Sequence, residues 1–403
     1  MHENRWVSHT GLAKRVHAHF PCTLFSSPEG AESDLIAVGE IIAAMEEWAP
    51  GSLCESWDNV GLMTGSPEDE RDSVLITLDV MDKTIETACT LSHPLIISHH
   101  PLIFKPLRHL TGTSRAERLV CSAIRHDIAI FAAHTNLDQA PEGVSHALAR
   151  RLGLENISKL TSRRGMLFKF VTFVPPAYTD RVRQAASDAG AGIIGEYRSC
   201  SFASDGTGTY KPTDAATPFS GKAGELSREP EQRLEMVVPE PFIARVVDRA
   251  KKAHPYEEMA YDIIPLAQPD PRYGYGAIGT LPSPVPRNRF PEAVCTSLGI
   301  DSILVSPGGP STIRKVAVMG GSGESVIPEA IAQGADAFVT GEIGYHAFLE
   351  HGDALLLAAA GHHATESPVL DTIREKLSSR FASITFVIDR TTTPEMKFFS
   401  PHT

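Results

Sequence analysis

Three things are scarce in this sequence. Cysteine is the first: there are six in 403 residues, at positions 22, 54, 89, 121, 200 and 295, and no two form a C-x-x-C pair. That pattern supplies neither a closed structural zinc nor a disulfide framework. It reads as free thiols in a reducing, cytoplasmic compartment. Long apolar runs are the second. The longest, Ala354 to Ala360, has the length of a buried strand and falls far short of the ~20 residues that span a bilayer. Basic charge is the third. Lys and Arg number 37 against 49 Asp and Glu, a net charge of −12 with pI near 5.8. Such a balance argues against nucleic-acid and membrane-surface binding, because a polyanion needs a basic face. A small anionic substrate stays open, since a few local cations serve one. The opening residues carry Arg5, Lys14 and Arg15 against Glu3 and have no apolar block, so a secretory signal is not expected. Residues 1–34 read as a disordered or misassigned extension, with a transit peptide as the other reading.

What is present is an ordinary globular composition, 42% hydrophobic and 21% charged, over a length that suits two or three domains. Leu35 to Trp48 has helical apolar spacing, with Asp34 as its N-cap. A strand at Val74–Leu78, a helix at Lys83–Ser92 and a strand at Pro94–Ser98 then make a β-α-β unit, which implies parallel strands. A second such unit is predicted from Val316–Met319, Glu324–Gln333 and Ala337–Thr340. Both units deliver polar residues where their strands end, the place where open parallel sheets build sites. Between them, Phe168–Val174, Thr179–Ala189, a Gly- and Pro-rich hairpin or loop at Ser204–Arg228, Arg233–Val238, Pro241–Ala253 and Ala260–Pro265 run strand, helix, hairpin, strand, helix, strand. The Pro-rich run Pro282–Pro291 predicts a loop. The expected fold is therefore α/β: two related halves in a layered α/β/α core, residues 35–160 and 271–398, with a ferredoxin-like α+β domain inserted at 161–270.

Three strand-end segments carry chemistry. In Ser98-His99-His100-Pro101 the proline ends the strand, and only there can adjacent histidines serve one site, because neighbours within a strand point to opposite faces. In His134-Thr135-Asn136-Leu137-Asp138 the aspartate offers a carboxylate or caps a helix. His134 is a ligand, the partner of a ligand or a proton shuttle. In Gly361-His362-His363-Ala364-Thr365-Glu366-Ser367-Pro368, a helix starts after Ser367 as N-cap, so the His362 to Glu366 spacing is expected to belong to a loop. Glu366 can bridge two cations with its two oxygens. Together His99, His100, Asp138, His362 and Glu366 form a mixed N/O donor set that suits two divalent ions, Zn, Fe, Mn or Co, about 3.5–4 Å apart. Lesser candidates follow. Lys105 and Arg108 could hold a phosphate or form a solvated face. Glu342 and His346 could be general acid and base, or could orient a ligand histidine. Gly320-Gly321-Ser322-Gly323 could cradle an anion or simply turn the chain. Trp57-Asp58-Asn59 could line the cleft or anchor a turn.

These pieces, in this order, resemble the Ngg-one-interacting-factor-three-like proteins, many of which carry the name GTP cyclohydrolase 1 type 2 homolog. The matching motifs are Ser56-Trp57-Asp58-Asn59-Val60-Gly61-Leu62, Ser98-His99-His100-Pro101, His134-Thr135-Asn136-Leu137-Asp138, Thr340-Gly341-Glu342 and Gly361-His362-His363-Ala364-Thr365-Glu366. His254-Pro255-Tyr256-Glu257-Glu258 and Tyr273-Gly274-Tyr275-Gly276 are similar to the PII-like insertion that some members carry. The resemblance implies a dinuclear centre ligated by His99, His100, Asp138, His362 and Glu366, and a toroidal homohexamer. His363 departs from the family, where an aromatic residue is common, and so leaves the role of His362 open. Two functions are compatible with the sequence. One is a metal-dependent hydrolase acting on a small molecule such as a nucleotide, with His134 or Glu342 moving protons. The other is a non-catalytic metal-binding regulator or chaperone, with the His254 patch as a second site.

Overall fold

The computed structural model describes residues 35–390. The extension 1–34, with Cys22 and the expected cap Asp34, lies outside the described residues, as does the stretch from 391. Cys54, Cys121, Cys200 and Cys295 are free thiols. No helix of the described residues is long and apolar enough to cross a membrane.

Two mixed sheets carry the architecture. In the first, Thr385–Ile388, Ser73–Thr77, Pro94–Ser98 and Ala129–Ala132 run parallel in that order, and Gly61–Thr64 closes the edge antiparallel. Its three central strands are buried at every position because both faces are covered. Val74, Ile76, Leu95, Ile97 and Phe131 point to one side, toward Val38, Ile41 and Met45 of the helix Val38–Trp48 and Val369 and Ile373 of the helix Pro368–Ser378. Leu75, Ile96 and Ile130 point to the other, toward Ile85 and Leu119 of the helices Asp82–Ala88 and Arg115–Arg125. The second sheet has the order Leu304–Val305, Leu356–Ala359, Ala337–Glu342, Thr312–Ser322, Ala277–Pro286, Glu155–Lys159, and the second to fourth strands are parallel. Alternation again splits its side chains between two cores, Val316, Val339 and Ala358 on one side, Ala317, Phe338 and Leu357 on the other. Each fully buried Val, Leu or Ile contributes about 1.5–3 kcal/mol. Both halves are thus α/β/α.

The halves are interleaved. Glu155–Lys159 precedes the four-stranded segment in sequence yet joins the second sheet, and Thr385–Ile388, near the end, joins the first. The helix Val144–Arg151 lies between the sheets: Val144 and Ala147 belong to the first core, Leu148 and Ala149 to the second. This interleaving holds the strand ends of the two halves face to face.

A third sheet is separate. Its strands Leu167–Val174, Phe202–Tyr210, Ser227–Pro239 and Tyr261–Pro265 are ordered fourth, first, third, second, all antiparallel. Helices Thr179–Asp188 and Ile243–Ala253 cover one face, burying Val182, Ala186, Val246 and Ala250 on Phe170, Leu234 and Met236.

Three local expectations change. The first helix starts at Val38, because Ile36–Ala37 pairs as a short strand with Glu70–Arg71. The helix after Ser73–Thr77 is Asp82–Ala88, shorter than its apolar pattern. The proline run is not a loop: Pro282 and Pro284 sit in the strand Ala277–Pro286, where the register shifts between Thr280 and Val285, and a bulge tolerates residues that cannot donate to the ladder.

Candidate metal centre

Strand ends of both sheets meet at one cluster. Pro94–Ser98 delivers His99 and His100, and Ala129–Ala132 delivers His134 and the short helix Thr135–Gln139 with Asp138. From the facing sheet, Ala337–Glu342 delivers Glu342, and Leu356–Ala359 leads to the short helix His362–Glu366. The two halves therefore place a histidine and an acid at the same spacing after corresponding strands, His134 with Asp138 and His362 with Glu366.

His362 and Glu366 share a helical turn, contrary to the loop expected from Pro368. Ser367 is itself helical (φ −52°, ψ −28°), so the short helix runs into Pro368–Ser378. The restriction that proline places on its predecessor is a bias, and packing overrides it here. As helical i,i+4 neighbours, His362 Nε2 and Glu366 Oε1 lie 3.0 Å apart.

The four histidines are oriented alike. His99 Nδ1 is 2.8 Å from the Ala133 carbonyl, His100 Nδ1 3.1 Å from Asp79 Oδ1, His134 Nδ1 2.9 Å from Asp58 Oδ1, and His362 Nδ1 3.3 Å from Glu342 Oε1. Carbonyls and carboxylates only accept, so a proton sits on each Nδ1, and Nε2 is the nitrogen left for the cluster. Those Nε2 atoms turn inward. His100 Nε2 is 3.1 Å from Glu366 Oε2, and His99 Nε2 is 3.8 Å from Glu366 Oε1 and 3.7 Å from Asp138 Oδ1. Nitrogens of His99, His100 and His134 lie within 4.8 Å of one another, as do donor atoms of His100, His362 and Glu366.

Burial makes this arrangement costly without a cation. His99 is fully buried and Glu366 is 4% exposed. His99 Nε2 and Glu366 Oε2 are buried with no aligned hydrogen-bond partner. Orphaned polar atoms aimed at a common point are what a cation would satisfy, and imidazole with carboxylate is a donor set for Zn, Fe, Mn or Co. The metal-free electrostatics say the same. Burial opposes charge on His100, but hydrogen bonds to Asp79 and Glu366 outweigh it and push its pKa to about 10. Burial disfavours ionised Glu366, yet the surrounding imidazoles of His100, His362 and His99 hold it well below the usual range. Protons on the histidines thus stand in for positive charge. Burial lifts Asp138 to about 6. His134 is the exception: burial, then repulsion from His99, lowers it to about 4, so it stays neutral.

The sequence placed His99, His100, His134, Asp138, Glu342, His362 and Glu366 in the site, and the structure brings all seven together. Glu342 faces His362. His363 belongs to neither donor cluster. His346 is exposed on the helix Tyr345–His351, with its ring against Tyr345. Lys105 and Arg108 are exposed beyond the His pair. A cavity of about 260 Å³ beside His100 is lined instead by Arg115, with Asp79 and Pro101. The glycine turn does accommodate an anion, but it is Glu366: a Cβ on Gly321, which has φ +67°, would strike that carboxylate. His254 is committed to structure, since Nε2 faces the Phe173 carbonyl at 3.0 Å and Nδ1 accepts from Tyr256 N at 3.1 Å. That leaves it no nitrogen for a metal. Three residues were missed. Asp79, just past the strand Ser73–Thr77, was legible as an acid at a parallel-strand end. Asp58 was read only as lining the cleft or anchoring a turn, not as the partner of His134. Lys159, whose Nζ is 3.3 Å from the Asp138 carbonyl and which burial lowers to about 8, gave no signal.

Residues 36–394 match the Duf34/NIF3 family (NGG1p interacting factor 3). The chain belongs to that family. Among its NIF3 relatives is a Bacillus subtilis protein named GTP cyclohydrolase 1 type 2 homolog, 38% identical over 365 residues, covering 88% of this chain and 97% of that one. A Mycobacterium tuberculosis protein of the same name is 34% identical over 354 residues, covering 86% and 93%. A solved Bacillus cereus protein related to NIF3 superposes with TM-score 0.78 at 35% identity, over 90% of this chain and 99% of that one. A solved Staphylococcus aureus protein does so with TM-score 0.70 at 27% identity, over 91% and 99%.

Proposed function

We propose that this NIF3 protein is a dinuclear metal-dependent hydrolase acting on a small, negatively charged substrate, a nucleotide being the leading candidate. One observation carries the reading: His99, His100 and His362 turn Nε2 toward the buried carboxylate of Glu366, with Asp138 and a ring nitrogen of His134 beside them. His99, His100, Asp138, His362 and Glu366 are the proposed ligands that would hold the ions. Two divalent cations held there would supply Lewis acidity and water activation at neutral pH.

The chain's own residues supply the rest. His134, neutral and with a ring nitrogen beside those of His99 and His100, accepts a proton, and Asp58 stabilises the imidazolium so formed. Glu342 orients His362. Arg115 in the adjoining cavity gives an anionic group a counter-charge, with Lys105 and Arg108 further out along the same loop. His346 has no part in this scheme. Residues 161–270 form an inserted ferredoxin-like domain, the assembly is a homohexamer on the family resemblance, and the compartment is the cytoplasm.

The test is metal analysis of the purified full chain, reconstitution with Zn, Fe, Mn or Co, and a screen of nucleotides and phosphoesters. Two ions per chain with turnover on at least one substrate is the expected result. Failure to bind any of the four metals overturns the reading. Two tightly held ions without turnover would leave the regulatory alternative in place.

A further inference from the structure

The four-stranded sheet contributes no residue to the histidine cluster, yet it carries a cavity of about 840 Å³, the size of a small-molecule site. Strand alternation explains its position. Leu234 and Met236 face the helices, so Glu231 and Arg233 on the same strand face away. The segment after Phe202–Tyr210 folds back over that face. It is held there by Thr217 N on Glu257 (2.8 Å), by the Tyr210 hydroxyl on the Ser220 carbonyl (3.0 Å) and by Phe219 packed edge-on against Tyr178.

The walls are aromatic. Phe173, Tyr210, Phe219 and Tyr256 line the space, with Tyr256 at 5.8 Å from Phe219 and 6.1 Å from Tyr210 between ring centres. Within it lies Glu231, 9% exposed, whose Oε1 accepts from the Tyr256 hydroxyl at 2.9 Å. Oε2 has no hydrogen-bond partner among the described residues. A carboxylate accepts several hydrogen bonds, and Oε2, which is not sealed from the cavity, is free to take one from a bound group. The chain makes room for it deliberately: a Cβ on Gly208 would collide with this carboxylate. The remaining charge favours a cation too. Asp205, Glu257 and Glu258 also line the cavity, against Lys211 and an Arg233 that is turned onto Glu235 at 2.8 Å.

We propose that this cavity is a second ligand site, for an organic cation whose ammonium group is received by Glu231 and whose body lies against the rings of Phe219 and Tyr256. Aromatic faces attract a desolvated cation, and a buried carboxylate gives it a charge-assisted partner. Neutral molecules of the same shape gain the ring contacts alone.

The probe pair is phenethylamine, a cation at neutral pH, and phenethyl alcohol, its neutral counterpart. Each is titrated calorimetrically into the metal-loaded full chain. The amine is expected to bind about tenfold or more tighter than the alcohol, the scale of a desolvated cation–π contact with an ion pair. Glu231→Gln keeps the Tyr256 hydrogen bond and should erase the difference, while Phe219→Ala should weaken both probes. Metal content should not change in either variant. Equal affinity for the two probes, a difference that survives Glu231→Gln, or no saturable heat from either, as when a second copy of the chain closes the cavity, overturns the proposal.

Discussion

Asp58 grips His134 from outside the cluster. Its Oδ1 is 2.9 Å from His134 Nδ1, while Oδ2 takes the Thr135 hydroxyl at 2.6 Å and the Thr135 amide at 3.1 Å. Burial alone would raise the Asp58 carboxyl, but the bonds from His134 and Thr135 outweigh it and hold the group below its ordinary range. Asp58→Asn keeps the shape but can donate to Nδ1, which would move the proton to Nε2. The expected loss is about 10- to 100-fold in activity, the scale seen when the partner of a site histidine is removed. Turnover measured alongside circular dichroism checks it; a folded variant with unchanged turnover would remove His134 from the mechanism.

Glu366→Gln should separate metal binding from folding. With metal present the native chain gains stability by mass action, about 2.7 kcal/mol when free metal is 100 times its dissociation constant. The glutamine variant loses a ligand that touches both histidine groups, so its melting temperature should be the same with and without metal. Differential scanning fluorimetry with Zn, Mn and Co decides this. A full metal-induced shift in the variant would show that Glu366 is not a ligand.

The pH response should reverse on loading. In the metal-free chain His100 is held at about 10 against an ordinary 6.5, and His99 and His362 are also raised. A raised histidine contributes stability that is complete below 6.5 and is lost as pH rises toward the folded value. Metal-free protein should therefore weaken between pH 6.5 and 8 by up to about 1.4 kcal/mol per pH unit for each histidine that stays protonated only when folded. Above 8, Lys159, lowered to about 8, begins to act in the opposite sense. Metal must displace those same protons, so affinity should rise with pH over the same range. Chemical denaturation and metal titration at matched pH values test both signs, and a metal affinity that is flat in pH would contradict them.

Gly321→Ala should damage the centre more than the fold. The left-handed backbone at 321 costs a non-glycine residue about 1–3 kcal/mol, and the added methyl would push Glu366 away from His100 and His362. The expected variant folds, melts a few degrees lower and holds less than the native complement of metal. Native metal content at a native dissociation constant would refute the cradle.

Much of this protein is determined locally. Apolar strand runs, the β-α-β order and strand-ending prolines are properties of neighbouring residues, so the two β-α-β units, three of the four strands between them and the histidines at the strand ends follow from the sequence alone. The same holds for the donor types, since imidazole and carboxylate chemistry does not depend on the fold. Tertiary structure decided what depends on distant partners. It joined His362 and Glu366 in one helical turn despite Pro368, exchanged the strands Glu155–Lys159 and Thr385–Ile388 between sheets, assigned Asp58, Asp79 and Glu342 to hold the outer nitrogens of three histidines, and filled the Gly321 turn with a carboxylate. No local pattern encodes these pairings, because each is selected by burial and hydrogen-bond satisfaction between segments that meet only when the two sheets face each other.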